Sequence, residues 1–129
     1  MSLKSALLAG GVSLALLTAA LPVAAWAEPA LLPAPVSAVA GSGRLLVGPG
    51  TAIIVPAGDG AARNAAERLA EWTLAARGLK LSITTRATGP AIRFRRGASG
   101  AAESYALDIG PRGATITAGD DAGLLYGAV

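Results

Sequence analysis

From Thr51 onward the spacing of apolar residues switches between two periods. TAIIV (Thr51 to Val55) is an unbroken, β-branched run, which predicts a short strand buried on both faces. Ala62, Ala65, Leu69, Trp72 and Ala76 then recur at intervals of three and four. That period places one apolar stripe along a helix from Ala61 to Arg77, with Leu69 and Trp72 as its large core residues. Arg63, Asn64, Glu67, Arg68 and Glu71 fall on the other face. Asp59 stands where a carboxylate caps the first turn, and Gly78 where a left-handed residue closes the last. From Leu79 to Thr85 the period returns to two: Leu79, Leu81 and Ile83 alternate with Lys80, Ser82 and Thr84. The same alternation predicts strands at Ala91 to Arg95, Glu103 to Ile109 and Ala114 to Ala118. Gly110-Pro111-Arg112-Gly113 reads as the hairpin loop joining the last two, with Pro at the second turn position. Arg44 to Val47 is a further strand candidate, and Asp120-Asp121 opens a short final helix whose apolar stripe is Leu124, Leu125 and Ala128.

A strand, a helix and a second strand in succession make a βαβ unit, whose crossover is expected to be right-handed. The remaining strands each have one polar face, so the sheet is expected to be covered on one side only. The fold class is α+β: a small mixed sheet covered on one face by the helix Ala61 to Arg77, with the βαβ unit and a C-terminal antiparallel hairpin.

The first 27 residues read as something other than this domain. Lys4 precedes an uncharged apolar stretch from Ala6 to Leu21, then Pro22 and the small-x-small site Ala25-Trp26-Ala27 before Glu28. That is the layout of a secretory signal peptide, with cleavage expected between Ala27 and Glu28 and export to the periplasm or beyond. The rival reading is an uncleaved membrane anchor, since Ser5 to Ala27 carries no charge; Gly10, Gly11, Ser13, Thr18 and Pro22 dilute its apolarity. Removing Lys4 with the leader takes one cation from the eleven Lys and Arg, so the domain at residues 28–129 has net charge +2 against eight acids. So small a positive balance is a weak argument for nucleic acid. The lead-in EPALLPAPVSAVAGSG (Glu28 to Gly43), with three prolines, reads as extended chain.

Composition also narrows the chemistry. The chain has no Cys and no His, which removes disulfides, the usual zinc ligands and Cys-His or Ser-His dyads. Acid-base work would fall to carboxylates. Glu67 and Glu71 lie one helical turn apart, but Arg63 and Arg68 beside them make a solvated, ion-paired face the better reading. Asp120 and Asp121 form the other pair, and their position suits capping of the final helix. Arg93, Arg95 and Arg96 could form a nucleic-acid stripe; with one aromatic among them, Phe94, an exposed strand face is the better reading. Glycines show no phosphate-loop spacing. No catalytic, cofactor-binding or metal-ligating residue is nominated.

Two stretches resemble a known family. LLPAPVSAVAGSGRLLVGPGTAIIV (Leu31 to Val55) is similar to the opening of bacterial β-N-acetylhexosaminidases of glycoside hydrolase family 20. SYALDIGPRGATITAGDDAGLLYGAV (Ser104 to Val129) resembles that family's second hallmark at Tyr105, Leu107, Ile109, Gly113, Ile116, Ala118, Gly123, Leu124, Tyr126 and Gly127. The Gly-x-x-Tyr-Gly end is also similar to accessory domains of α-glucuronidases. The resemblance implies a non-catalytic N-terminal α+β domain whose last helix leads into a (β/α)8 barrel. In that barrel an adjacent Asp-Glu pair does the chemistry, with Glu as general acid and Asp orienting the acetamido group that attacks the anomeric carbon. No such pair occurs here, so no catalytic residue carries over, and the chain alone is expected to be inactive. The partner it implies is that barrel, in cis, with carbohydrate reached only through it. The apolar run that halts at Val129 is expected to mark a fragment ending at the join. The rivals are the matching accessory domain of an α-glucuronidase or other glycoside hydrolase and a freestanding secreted interaction module.

Overall fold

The computed structural model describes residues 35–41, 44–98 and 100–129. Two compact units are distinguished, residues 1–40 and 41–129. The residues expected to form a leader lie outside the described residues, as do most of those expected to form the extended lead-in; residues 35–40 form no helix or strand. The rest of the description concerns the second unit.

Its elements follow as β1 (Ala52–Ile54), α1 (Gly60–Arg77), β2 (Ser82–Thr84), β3 (Ala91–Arg96), β4 (Tyr105–Gly110), β5 (Gly113–Ala118) and α2 (Asp121–Gly127). The five strands form one sheet in the order β2-β1-β3-β5-β4. β1 pairs in parallel with β2 and β3, β3 in parallel with β5, and β4 alone runs antiparallel, against β5. The sheet is therefore mixed, β1-α1-β2 is the expected βαβ unit, and β4-β5 is the expected hairpin.

Helix α1 starts and stops where its sequence says. The Asp59 carboxylate accepts from the Ala62 amide at 3.0 Å, and Gly78 at φ 64° lets its amide reach the Leu74 carbonyl at 2.8 Å. The buried stripe, however, is Ala62, Ala65 and Ala66, flanked by half-buried Leu69 and Ala70. Trp72 is not in it: the side chain is 47% exposed. At about 100° per residue, Trp72 stands roughly 90° round from the centre of that stripe, at its margin. The alanines carry no bulk, so the helix lies close to the sheet, and the large core side chains come from the strands instead.

Cross-strand register sorts the strand residues into two faces. Ile53, Ile92, Phe94, Ala114, Ile116 and Ala118 share the face that meets the helices, and Phe94, Ile53 and Leu124 are the largest fully buried side chains. The opposite face carries Arg93, Arg95, Thr115, Thr117 and Asp108. One face is covered, as expected, but by two helices: α2 packs against β4, β5 and α1. Leu124 is fully buried and Ala128 5% exposed, so the stripe of the final helix is seated on the sheet, while Leu125 turns outward at 40%. A β-carbon on Gly123 would sit 2.4 Å from the Ser104 carbonyl oxygen and 2.9 Å from the Ala118 β-carbon. Glycine is what lets α2 come this close.

Two strand expectations need correction. Residues 44–47 form no strand among the described residues; Leu45 packs against the core, and Leu46 is 83% exposed. A strand needs a partner for its backbone, and local apolar character cannot supply one. The second is shorter than expected, with only Ser82–Thr84 of residues 79–85 paired, because β1 offers three residues to pair with.

Candidate functional site

The carboxylates considered for chemistry are structural. Glu67 and Glu71 lie on the outer face of α1, paired at 3.8 Å with Arg63 and at 3.6 Å with Arg68, all at least half exposed. Asp120 is the N-cap of α2, accepting from the Gly123 amide and the Glu103 amide, each at 2.7 Å. Those two donors, Glu103 first, hold its carboxyl below the usual carboxylate range. Asp121 accepts from the Arg96 guanidinium.

The run Arg93-Phe94-Arg95-Arg96 does not make one basic stripe. Alternation along β3 puts Arg93 and Arg95 on the open face and sends Arg96 to the helix side, with Phe94. There Arg96 grips Asp59 with Nε at 2.8 Å and Nη2 at 3.1 Å while also holding Asp121. The N-termini of both helices are thus tied to the end of one strand. The Arg96 hydrogen bonds, more than the Ala62 amide, hold the Asp59 carboxyl below its usual range, and Arg96 keeps its proton more firmly in return. Sequence reasoning missed this clamp; the strand period at Phe94 was the signal that Arg96 faces the helices.

Two surface features remain. On the open face, a cleft of about 630 Å³ is lined by Thr88, Pro90, Arg93, Asp108, Arg112 and Thr115, with Gly110 and Gly113 between them. At the edge of the covered face, β4 shows Leu107 at 47% and Ile109 at 59% exposure, and Leu125, Tyr126 and Val129 of the α2 end are 40%, 46% and 61% exposed. That is an apolar rim along the outer strand and last helix. Among the described residues no group of Asp and Glu could hold a metal ion, and no helix is long and apolar enough to cross a membrane. The described residues thus offer two surface features, a polar cleft on the open face and an apolar rim at the sheet edge.

The chain matches the family described as glycosyl hydrolase family 20, domain 2, over residues 28–129. Solved structures agree. The family 20 β-N-acetylhexosaminidase of Streptomyces coelicolor A3(2) is 35% identical with a TM-score of 0.67, over 74% of this chain and 19% of that one. A mutant β-hexosaminidase of Streptomyces plicatus, in complex with its product GlcNAc, is 36% identical with a TM-score of 0.66 over the same shares. An enzyme of glycoside hydrolase family 138 targeting pectin rhamnogalacturonan II shares the fold alone, at 17% identity and a TM-score of 0.51. No curated protein matches. The chain belongs to glycoside hydrolase family 20, as the non-catalytic accessory domain whose catalytic barrel is a separate domain. It spans about a fifth of the length of the streptomycete enzymes it resembles.

Proposed function

We propose that this chain is the N-terminal domain of an exported β-N-acetylhexosaminidase that removes terminal N-acetylhexosamine from glycans, and that its own part is to seat the barrel. The match over residues 28–129 to domain 2 of family 20 carries the reading. The apolar rim of Leu107 and Ile109 on β4 and Leu125 and Tyr126 on α2 supports it, as an exposed apolar surface against which a neighbouring domain could be seated. Substrate would be met by the barrel and not by the two paired carboxylate sets, Glu67 with Glu71 and Asp120 with Asp121, which are engaged in caps and ion pairs. Export rests on the leader, and N-terminal sequencing of exported material should begin EPALLPAP.

The test is to assay the chain with a chromogenic N-acetylglucosaminide and to read the coding sequence beyond codon 129. No turnover, with an in-frame continuation bearing an adjacent Asp-Glu pair, is the expected result. Turnover that survives repurification overturns the accessory role. A stop codon followed by unrelated sequence overturns the seating of a barrel in cis and leaves a freestanding module.

A further inference from the structure

The open-face cleft has a definite construction. Arg93 of β3, Thr115 of β5 and Asp108 of β4 are register partners, so they stand side by side across three neighbouring strands. At about 4.8 Å per strand the row runs a cation, a hydroxyl and a carboxylate over roughly 10 Å. The next row, Ala91, Gly113 and Gly110, is almost bare of side chains and forms a trough beside it. Pro90, Pro111 and Arg112 also line the trough.

Gly113 has no room for anything else. A β-carbon there would lie 2.2 Å from the Ala91 carbonyl oxygen and 2.9 Å from Arg93 Nη1. The Arg93 guanidinium therefore rests on glycine backbone beside the trough, half-buried, and makes no hydrogen bond or ion pair among the described residues. Asp108 and Arg112 have none either. Arg93 and Asp108 stand on strands either side of β5 and form no ion pair with each other. Among the described residues the cleft thus has two unpaired guanidiniums, one unpaired carboxylate and a hydroxyl, with a net positive charge.

We propose that this cleft binds a saccharide bearing a carboxylate. Arginine's fork matches a carboxylate with two parallel hydrogen bonds, so that group belongs at Arg93 and Arg112. A simple anion would leave the Asp108 carboxylate facing it unfavourably. A sugar ring instead brings hydroxyl donors, which Asp108 accepts and Thr115 supplements, while Pro90 and Pro111 offer aliphatic surface to ring C–H groups. The volume of about 630 Å³ suits a ligand of one or two rings. The cleft lies on the face of the sheet away from the helices, so this proposal and the seating of a barrel fail or succeed separately.

Ligand-observed NMR and amide shift mapping on the 129-residue chain test it, with methyl β-D-glucuronoside, its methyl ester and sodium acetate as probes. The glucuronoside should bind saturably with a dissociation constant on the order of millimolar, as few contacts allow. Its shifts should centre on Gly110, Gly113 and Thr115. Binding should weaken about tenfold for the ester, which loses the charge-assisted pair, and for acetate, which loses the ring. Arg112→Gln, at an exposed hairpin tip where folding is not at stake, should weaken the glucuronoside several-fold, and Asp108→Asn should weaken acid and ester alike. Absence of saturable binding, equal binding of acid and ester, acetate binding as tightly as the sugar, or an Arg112→Gln variant with unchanged affinity would each overturn the proposal.

Discussion

Phe94 and Trp72 give the most direct test of how this fold holds together. Size and helical period rank Trp72 as the larger core residue; the structure reverses that order. Phe94 is 2% exposed and sits in register with Ile116 on β5, directly under the helices. Phe94→Ala removes a ring from a filled interior, and such truncations cost about 3–5 kcal/mol. Trp72 keeps roughly half its surface in water at 47% exposure, so only about half of a buried aromatic's contribution is at risk. Trp72→Ala should cost about 1–2 kcal/mol. For a domain of this size each kcal/mol moves the midpoint by roughly 4–8 °C, so the two variants should differ by at least about 4 °C. Urea denaturation followed by circular dichroism, with the slope shared between variants, measures both losses. If Trp72→Ala cost as much as Phe94→Ala, the helix would have to be rotated to bury its tryptophan, and the alanine stripe described above would be wrong.

Other consequences follow from the same geometry. Asp59 and Asp120 both have carboxyls held below the ordinary range in the folded state, so their contribution is present above an unfolded pKa of about 4 and is lost as pH falls through the lower folded values. Thermal midpoints should thus be flat from about pH 7 to 5 and fall steeply below about pH 4, and Asp120→Asn should flatten that fall. Arg96→Met should cost about 1 kcal/mol, the upper end for an exposed pair, because the grip on Asp59 is bidentate; a midpoint unchanged in low salt would refute the clamp. Gly113→Ala should cost about 1–3 kcal/mol or more, since its β-carbon meets backbone that cannot step aside. Ile109→Lys on the rim should leave stability within about 0.5 kcal/mol but reduce self-association on a sizing column.

What was legible in the sequence and what was not divide along one physical line. Local signals were reliable: Asp59 and Gly78 bound α1, Asp120 caps α2, and Gly110 to Gly113 turns the hairpin, because each depends on a few neighbouring residues. Signals that need a partner were not. Residues 44–47 look like a strand yet pair with nothing among the described residues, and Trp72 fits a helical stripe whose centre is set by the sheet beneath it. Arg96 is the sharpest case. Three arginines in four residues read as one charged face, yet the strand period alone decides that Arg96 crosses over, and only the tertiary fold brings Asp59 and Asp121 to meet it, 37 and 25 residues away. The open-face cleft was illegible for the same reason, since Arg93, Thr115 and Asp108 become neighbours only through the order β3-β5-β4.

That strand order also places two distinct surfaces on one strand. Antiparallel β4 lies outside β5, so the hairpin puts the most exposed strand among the described residues at one edge, and its two faces part company there. Its apolar side, Leu107 and Ile109, extends past what α2 covers and forms the rim. Its polar side, Asp108, completes the row with Thr115 and Arg93. Alternation at a period of two thus lets six residues serve both surfaces. A one-residue slip of β4 would exchange them, burying Asp108 against the helices and turning Leu107 into the cleft. The register is fixed against that slip by the two-residue turn at Pro111 and Arg112, with Gly110 paired to Gly113, and by Asp120 holding the Glu103 amide at the other end of the strand. The capping aspartate that looked at first like half of a catalytic pair instead helps to hold both surfaces in place.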